Sequence, residues 1–330
     1  MSTSVNRRAM LRSLGALTAA AFAAPLLSAC GRAAGDPGVV RIGYLGNLTH
    51  APVIVGLGAG RLQQSLGKTR VESRTFNAGP RVAEALLGRA IDIGVAGPLP
   101  ILSMHARHRG GPVVILEGCA SGGASLVSVS GVRDVRDLDG LSVATPQLGS
   151  TQDIALRKYL AAHGFTSKDR GGTVTINALA SADIFAQMRR GQIAAAWLPE
   201  PWATRVVREL PGRRLVDERD LWPQRRFPTA IVVVRREFLE ARRAEVELVT
   251  AAVRAEIERA IAEPSATKDA LDVEIERLTT RAIPRPILDE AWAMTDFTSD
   301  ANPAAFATLA SDAHALGLIP EVDAATLFSS

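Results

Sequence analysis

The pattern that most restricts how this chain can fold is an internal repeat. Phe76-Asn77-Ala78-Gly79, a helix, Arg89-Ala90-Ile91-Asp92 and then Gly97-Pro98 return later as Ile176-Asn177-Ala178, a helix, Gly191-Gln192-Ile193-Ala194 and Leu198-Pro199. One βαβ unit occurs twice, which is weak duplication rather than a solenoid period. Two such units imply two α/β lobes of similar plan, each with a mostly parallel sheet flanked by helices.

The segments around the repeat fit that plan. Val39–Tyr44, Val71–Phe76, Ile91–Ala96, Val113–Leu116 and Leu126–Val129 read as strands, with helices at Ala51–Gln64 and from Gly79-Pro80 onward. Proline at the first helical position suits a helix start, since its missing N–H has no intrahelical partner there. In the second half, Leu141–Thr145, Val174–Leu179 and Ile193–Leu198 read as strands, and Ser150–His163 and Ser181–Arg190 as helices. After the β-branched strand Phe227–Val234 the pattern turns helical. Val246, Val249, Val253, Ile257 and Ile261 recur at helical spacing, and further helices follow at Asp269–Thr280, Pro286–Phe297 and Ala304–Leu316. This block is expected to pack back on the first lobe, so that the chain crosses between lobes twice. Two crossings make a hinge with a cleft beside it. The expected boundaries are 39–128 for the first part of lobe 1, 129–227 for lobe 2, and 228–330 for the return to lobe 1.

The N-terminus reads as an export signal. Arg7, Arg8 and Arg12 precede the charge-free apolar run Leu14–Leu27, which is too short to span a bilayer but suits a signal-peptide core. Leu27-Ser28-Ala29-Cys30 resembles a bacterial lipobox, with residues 1–29 removed, Cys30 carrying lipid and 30–38 forming a tether. The arginine pair suits the twin-arginine route, although Asn6 precedes it and no Phe follows at the usual place, so the general secretory route stays open. The other cysteine, Cys119, then has no disulfide partner and is expected at a strand end, partly buried. The whole chain carries 38 Lys+Arg against 34 Asp+Glu. Without the three signal-peptide arginines the balance is 35 to 34, so charge gives no case for nucleic-acid binding.

Several segments together resemble a family. They are Asn47-Leu48-Thr49-His50-Ala51-Pro52, Phe76-Asn77-Ala78-Gly79-Pro80, Ala90-Ile91-Asp92-Ile93-Gly94 with Gly97-Pro98, and Ala120-Ser121-Gly122-Gly123-Ala124. Thr145-Pro146-Gln147-Leu148-Gly149-Ser150-Thr151-Gln152-Asp153, Pro199-Glu200-Pro201-Trp202-Ala203-Thr204 and Val216–Pro223 complete the set. In this order they resemble the aliphatic sulfonate, taurine and nitrate branch of ABC-importer solute-binding proteins, over about residues 38 to 320. The resemblance implies a two-lobed type II periplasmic-binding fold and a monomer tethered on the outer face of the cytoplasmic membrane. Its partners would be a small organosulfonate-type anion, an ABC permease and its ATPase, with no cofactor, no metal and no enzymatic activity. Two departures stand out. Leu99 occupies a position where related sequences often carry Asn, and Ala194 replaces a common Asp. The first makes one wall more apolar and argues against nitrate.

The candidate ligand-binding residues are Asn47, Thr49, His50, Gly97, Pro98, Ser121, Gly122, Gly149, Ser150, Thr151, Gln152, Glu200 and Trp202. The strand-to-helix turns among them carry small residues. Helix N-termini offer free N–H groups and positive dipole ends, and Ser and Thr add hydroxyl donors, so an oxyanion can be held without an arginine. Ser150 can serve as an N-cap and a ligand donor together. Glu200 either accepts a ligand amine or pairs with an arginine at the hinge. Trp202 either covers an alkyl chain or packs between lobes.

Enzyme readings find little support. His105 and His108 stand three apart, as a solvated pair without a neighbouring acid, and neither a G-x-S-x-G elbow nor a P-loop occurs. A related branch of the fold makes the thiamine pyrimidine with a Cys-rich segment and a Lys-bound cofactor. This chain lacks that segment and has only Lys68, Lys158, Lys168 and Lys268. Two alternatives remain: the same scaffold binding a thiamine-precursor pyrimidine or other heterocycle, and a tethered sensor without transport. An aromatic content of 5% disfavours the first.

Overall fold

The computed structural model describes residues 38–108, 111–129 and 131–328. The expected signal segment 1–29, Cys30 and the expected tether up to residue 37 lie outside the described residues. The chain opens with β1 (Val39–Leu45), α1 (Ala51–Gly58), α2 (Arg61–Leu66), β2 (Arg70–Phe76), α3 (Gly79–Leu87), β3 (Ile93–Ala96), α4 (Pro98–Arg107) and β4 (Val113–Gly122). It then builds β5 (Ala124–Ser128), β6 (Ser142–Thr145), α5 (Thr151–Ala162), β7 (Thr175–Ala178), α6 (Ser181–Arg189), β8 (Ala195–Pro199), α7 (Trp202–Glu209) and β9 (Arg213–Asp217). The return supplies β10 (Pro228–Arg235), α8 (Arg236–Ala241), α9 (Arg243–Ala262), α10 (Pro264–Thr279), α11 (Arg285–Ala293), β11 (Thr295–Phe297) and α12 (Pro303–Ala315).

Two sheets result, ordered β11-β4-β10-β3-β1-β2 and β7-β6-β8-β5-β9. Both are mixed rather than mostly parallel. The repeat makes the parallel triplets β2-β1-β3 and β7-β6-β8, and the crossing strands then enter antiparallel, β10 against β3 and β5 against β8. The chain changes sheet at Gly123, so β5 belongs to the second lobe and the boundary falls earlier than 128. The expected helix 51–64 is two helices, α1 and α2, and the end of the expected helix 286–297 is strand β11.

Both faces of each sheet are covered, as the continuous apolar runs require. On β10, Val232 and Val234 join one cluster with Val246, Val253 and Leu271 of α9 and α10, while Ile231 and Val233 join another with Leu99, Phe306 and Leu309. In the second lobe, Leu126 and Trp197 face one core and Val127 and Leu198 the other. Successive side chains on a strand point to opposite faces, so one β-branched run serves two layers at once. The C-terminal helices thus complete lobe 1.

The hinge is knotted where the two crossings meet. The Ser121 hydroxyl accepts from the Phe227 N–H at 3.1 Å, the Gly122 N–H donates to the Phe227 carbonyl at 2.9 Å, and the Thr229 hydroxyl donates to the Gly122 carbonyl. Gly123, at φ +68°, donates to the Met294 carbonyl at 2.8 Å and accepts from the Glu200 N–H at 2.8 Å. A Cβ there would lie 2.6 Å from Thr295 Oγ1, so no larger residue fits this crossing. Away from the hinge the lobes are joined by Arg208–Glu290 at 2.5 Å, by Lys158–Asp312, and by the Arg170 guanidinium donating to the Leu316 carbonyl.

Candidate functional site

The carboxyl ends of the six parallel strands of the two triplets converge on the cleft, where an open α/β sheet places its ligands. A cavity of about 60 Å³ lies there, lined from lobe 1 by Leu45, Asn47, Thr49, His50, Asn77, Ala78, Gly79, Gly97, Pro100 and Thr229. Lobe 2 contributes Pro146, Ser150, Thr151, Gln152, Ser181 and Pro199. Helices α3, α4, α5 and α6 all begin at this cavity, with N-caps Ala78, Gly97, Ser150 and Ala180, and the 3-10 turn Leu48–His50 leads into α1 beside them. No Lys or Arg lines it among the described residues.

The start of α5 is held firmly. Ser150 Oγ accepts from the Asp153 N–H at 3.2 Å, and the Asp153 carboxylate accepts from the Gly149 N–H at 2.9 Å and from Arg157 Nε at 3.1 Å. Arg157 in turn donates to Ser167 Oγ at 3.0 Å. The N-cap and its buried support fix Ser150 and Thr151, which are 5% and 2% exposed. Across the cleft, Thr49 Oγ1 donates to Asn47 Oδ1 at 2.7 Å, an arrangement that leaves the Asn47 amide N–H groups for the cavity. His50 Nδ1 accepts from the Leu45 N–H at 3.3 Å, which leaves its proton on Nε2. Burial pushes its pKa down to about 3, so this ring is neutral. The cavity therefore offers hydroxyl, amide, imidazole and helix-end donors without a formal charge. That chemistry suits a small oxyanion.

Asn47, Thr49, His50, Gly97, Ser150, Thr151 and Gln152, expected from the sequence as ligand residues, all line this cavity. The other candidates are placed elsewhere. Pro98 is buried as the first residue of α4 and does not line it. Ser121 and Gly122 are engaged in the hinge. Gly149 is exposed and its N–H serves Asp153. Glu200 is fully buried, accepting from the Thr204 N–H at 3.0 Å with Arg214 Nη2 3.0 Å from its other oxygen. Burial raises its pKa, outweighing the Arg214 charge. Its carboxyl supports the start of α7 rather than facing a ligand. Trp202 lines a second cavity of about 440 Å³ that shares Asn47 with the cleft cavity.

Residues that sequence reasoning missed are Asn77, Ser181 and Thr229. The first two sit at equivalent strand-to-helix turns of the repeat, so the duplication itself carried the signal. Thr229 arrives from the return strand, which no local motif marks. Of the histidine pair, His108 is exposed as expected and His105 is not. His105 is 8% exposed with Nε2 2.7 Å from Thr326 Oγ1. Cys119 is fully buried within β4, where burial pushes its thiol pKa up and leaves no nucleophile.

Comparison with known proteins agrees with this fold. The alkanesulfonate-binding protein SsuA of Xanthomonas axonopodis pv. citri, solved with MOPS, is 22% identical, with a TM-score of 0.74 over 89% of this chain and 99% of that one. The periplasmic aliphatic sulphonate-binding protein SsuA of Escherichia coli is 20% identical, with a TM-score of 0.72 over 89% and 93%. The periplasmic nitrate-binding protein NrtA of Synechocystis PCC 6803 is 16% identical, with a TM-score of 0.73 over 88% and 85%. No curated protein matches the chain. At these identities the likeness is one of fold. The profile of the NMT1-like family, however, matches residues 33–272, which include the parallel triplets of both sheets, the hinge and most of the cavity wall. The chain belongs to the NMT1-like family.

Proposed function

We propose that this protein is the extracytoplasmic solute-binding lipoprotein of an ABC importer. It captures an organosulfonate-type oxyanion between its lobes and delivers it to the permease, whose ATPase drives uptake. The observation that carries this reading is the convergence of four helix N-termini, two from each lobe, on one uncharged cavity lined by Thr49, Ser150 and Thr151. A site divided between lobes couples binding to closure, because the ligand completes its contacts only when both halves meet. The fold shared with sulfonate- and nitrate-binding proteins supports the same reading. Cys30 is the proposed lipid attachment site, after export of the preceding segment.

A thermal-shift screen of the protein against sulfonates, nitrate, sulfate and pyrimidines tests the proposal. A ligand that binds the folded state alone raises stability by RT ln(1 + [L]/Kd). Sulfonates are expected to raise the melting temperature in a saturable way. Stabilisation by pyrimidines with none by any sulfonate overturns it.

A further inference from the structure

The small cavity does not end the cleft. Asn47 lines both it and the neighbouring cavity of about 440 Å³, so the two adjoin at one residue. The larger space is bounded by Ile275, Ile283 and Pro284 from lobe 1 and by Trp202 from lobe 2, with Arg205 and Arg281 also lining it. Its volume falls in the range of pockets that enclose whole organic molecules, whereas the smaller one admits only a head group.

The lobe 2 wall is a prebuilt aromatic platform. The Arg205 guanidinium carbon lies 4.8 Å from the Trp202 ring centroid and 4.8 Å from that of Phe185, and the two rings are 6.1 Å apart. Glu209 fixes Arg205 through two hydrogen bonds, at 2.9 and 3.3 Å. The indole is thus positioned before any ligand arrives, and Ile275 and Ile283 of lobe 1 line the same cavity. A flat apolar body between indole and isoleucines would fill the space and bury surface from both lobes together. Nitrate or methanesulfonate would leave it to water.

We propose that the solute is an oxyanion borne on a ring-sized apolar body, an arylsulfonate-type molecule, with its head in the small cavity and its ring against Trp202. This rests on the capture reading above and names the ligand class for it. Isothermal titration of the full chain with methanesulfonate and with naphthalenesulfonate tests it, alongside the variants Trp202→Ala and Trp202→Phe. Naphthalenesulfonate is expected to bind at least about tenfold tighter than methanesulfonate, the size of effect that one aromatic contact with its buried area supplies. Trp202→Ala is expected to erase that advantage while methanesulfonate binding stays within about twofold, and Trp202→Phe to keep most of it. Equal or tighter binding of methanesulfonate overturns the ring assignment and leaves anion capture standing. So does a Trp202→Ala effect equal for both probes. Binding of neither sulfonate removes both proposals.

Discussion

Thr151 and Leu99 meet across the cleft: the Thr151 hydroxyl of lobe 2 accepts from the Leu99 N–H of lobe 1 at 3.4 Å. The contact depends on Gly97, where an added Cβ would stand 2.5 Å from Thr151 Oγ1. Gly97→Ala is therefore expected to prop the cleft open while each lobe keeps its own core. Small-angle scattering should give a larger radius for the variant at saturating sulfonate than for wild type. Adding Thr151→Ala, which removes the colliding oxygen, should restore closure. Identical radii for Gly97→Ala and wild type would show that the glycine carries no such constraint.

Ser150 and Thr151 are separable by their second duties. Ser150→Ala removes an N-cap and is expected to cost about 0.5–2 kcal/mol of stability as well as affinity. Thr151→Val keeps the shape and loses only the hydroxyl. A hydrogen bond to a charged group contributes about 1.5–3 kcal/mol, so each variant should weaken sulfonate binding about tenfold or more. Titration read together with the melting temperature checks this. Wild-type affinity in both variants would assign the head group to backbone donors alone.

Glu200 faces protein rather than the cleft cavity. It is sealed beneath α7 with Thr204 and Arg214, so Glu200→Gln should lower the melting temperature without changing the preference between taurine and ethanesulfonate. A selective loss of taurine binding would return the carboxylate to the ligand.

Much of the fold was legible in the duplicated βαβ units, because strand period and turn chemistry are local properties. The cleft residues that follow parallel strands, Asn47, Gly97 and Ser150 among them, were legible for the same reason. Ser121 and Gly122 were misread because their roles depend on where the chain crosses between sheets, whereas for Glu200 the arginine pairing was one of the two alternatives the sequence left open. A glycine-rich turn looks the same in sequence whether it cradles an anion or carries a hinge. Only Phe227, more than one hundred residues further on in the sequence, reveals which it is.

Cys30 closes Leu27-Ser28-Ala29-Cys30 at the end of the apolar run. Cys30→Ala is expected to release the protein from the membrane fraction or to leave it unprocessed. Fractionation with detection of the mature size decides, and a variant that matures and partitions like wild type excludes lipidation at this residue.

Buried acids should make a contribution to stability that falls as pH rises, from Glu218, Glu117 and Glu200. Set against it is a rising contribution from buried neutral His50 between about pH 3 and 6.5. Glu218 is 1% exposed and accepts the Trp197 indole N–H at 2.9 Å. Burial pushes its pKa up to about 8, against that hydrogen bond and with help from the Asp217 charge. In the unfolded chain a glutamate titrates near 4.3. Between about pH 4.3 and 8 the folded protein keeps a proton that the unfolded chain has lost, so folding takes up a proton and stability falls as pH rises. One such group gives a slope of at most about 1.4 kcal/mol per pH unit, flat below and above the window. Glu117, raised to about 7 by burial against the pull of Arg254, adds a similar slope over a shorter window. Urea midpoints for wild type and Glu218→Gln, taken from pH 5 to pH 8, separate the two. Glutamine keeps an acceptor for Trp197 and cannot ionise, so the variant should lose less stability than wild type as pH rises, with the Glu117 contribution remaining. Parallel curves would mean that Glu218 is ionised in the folded protein.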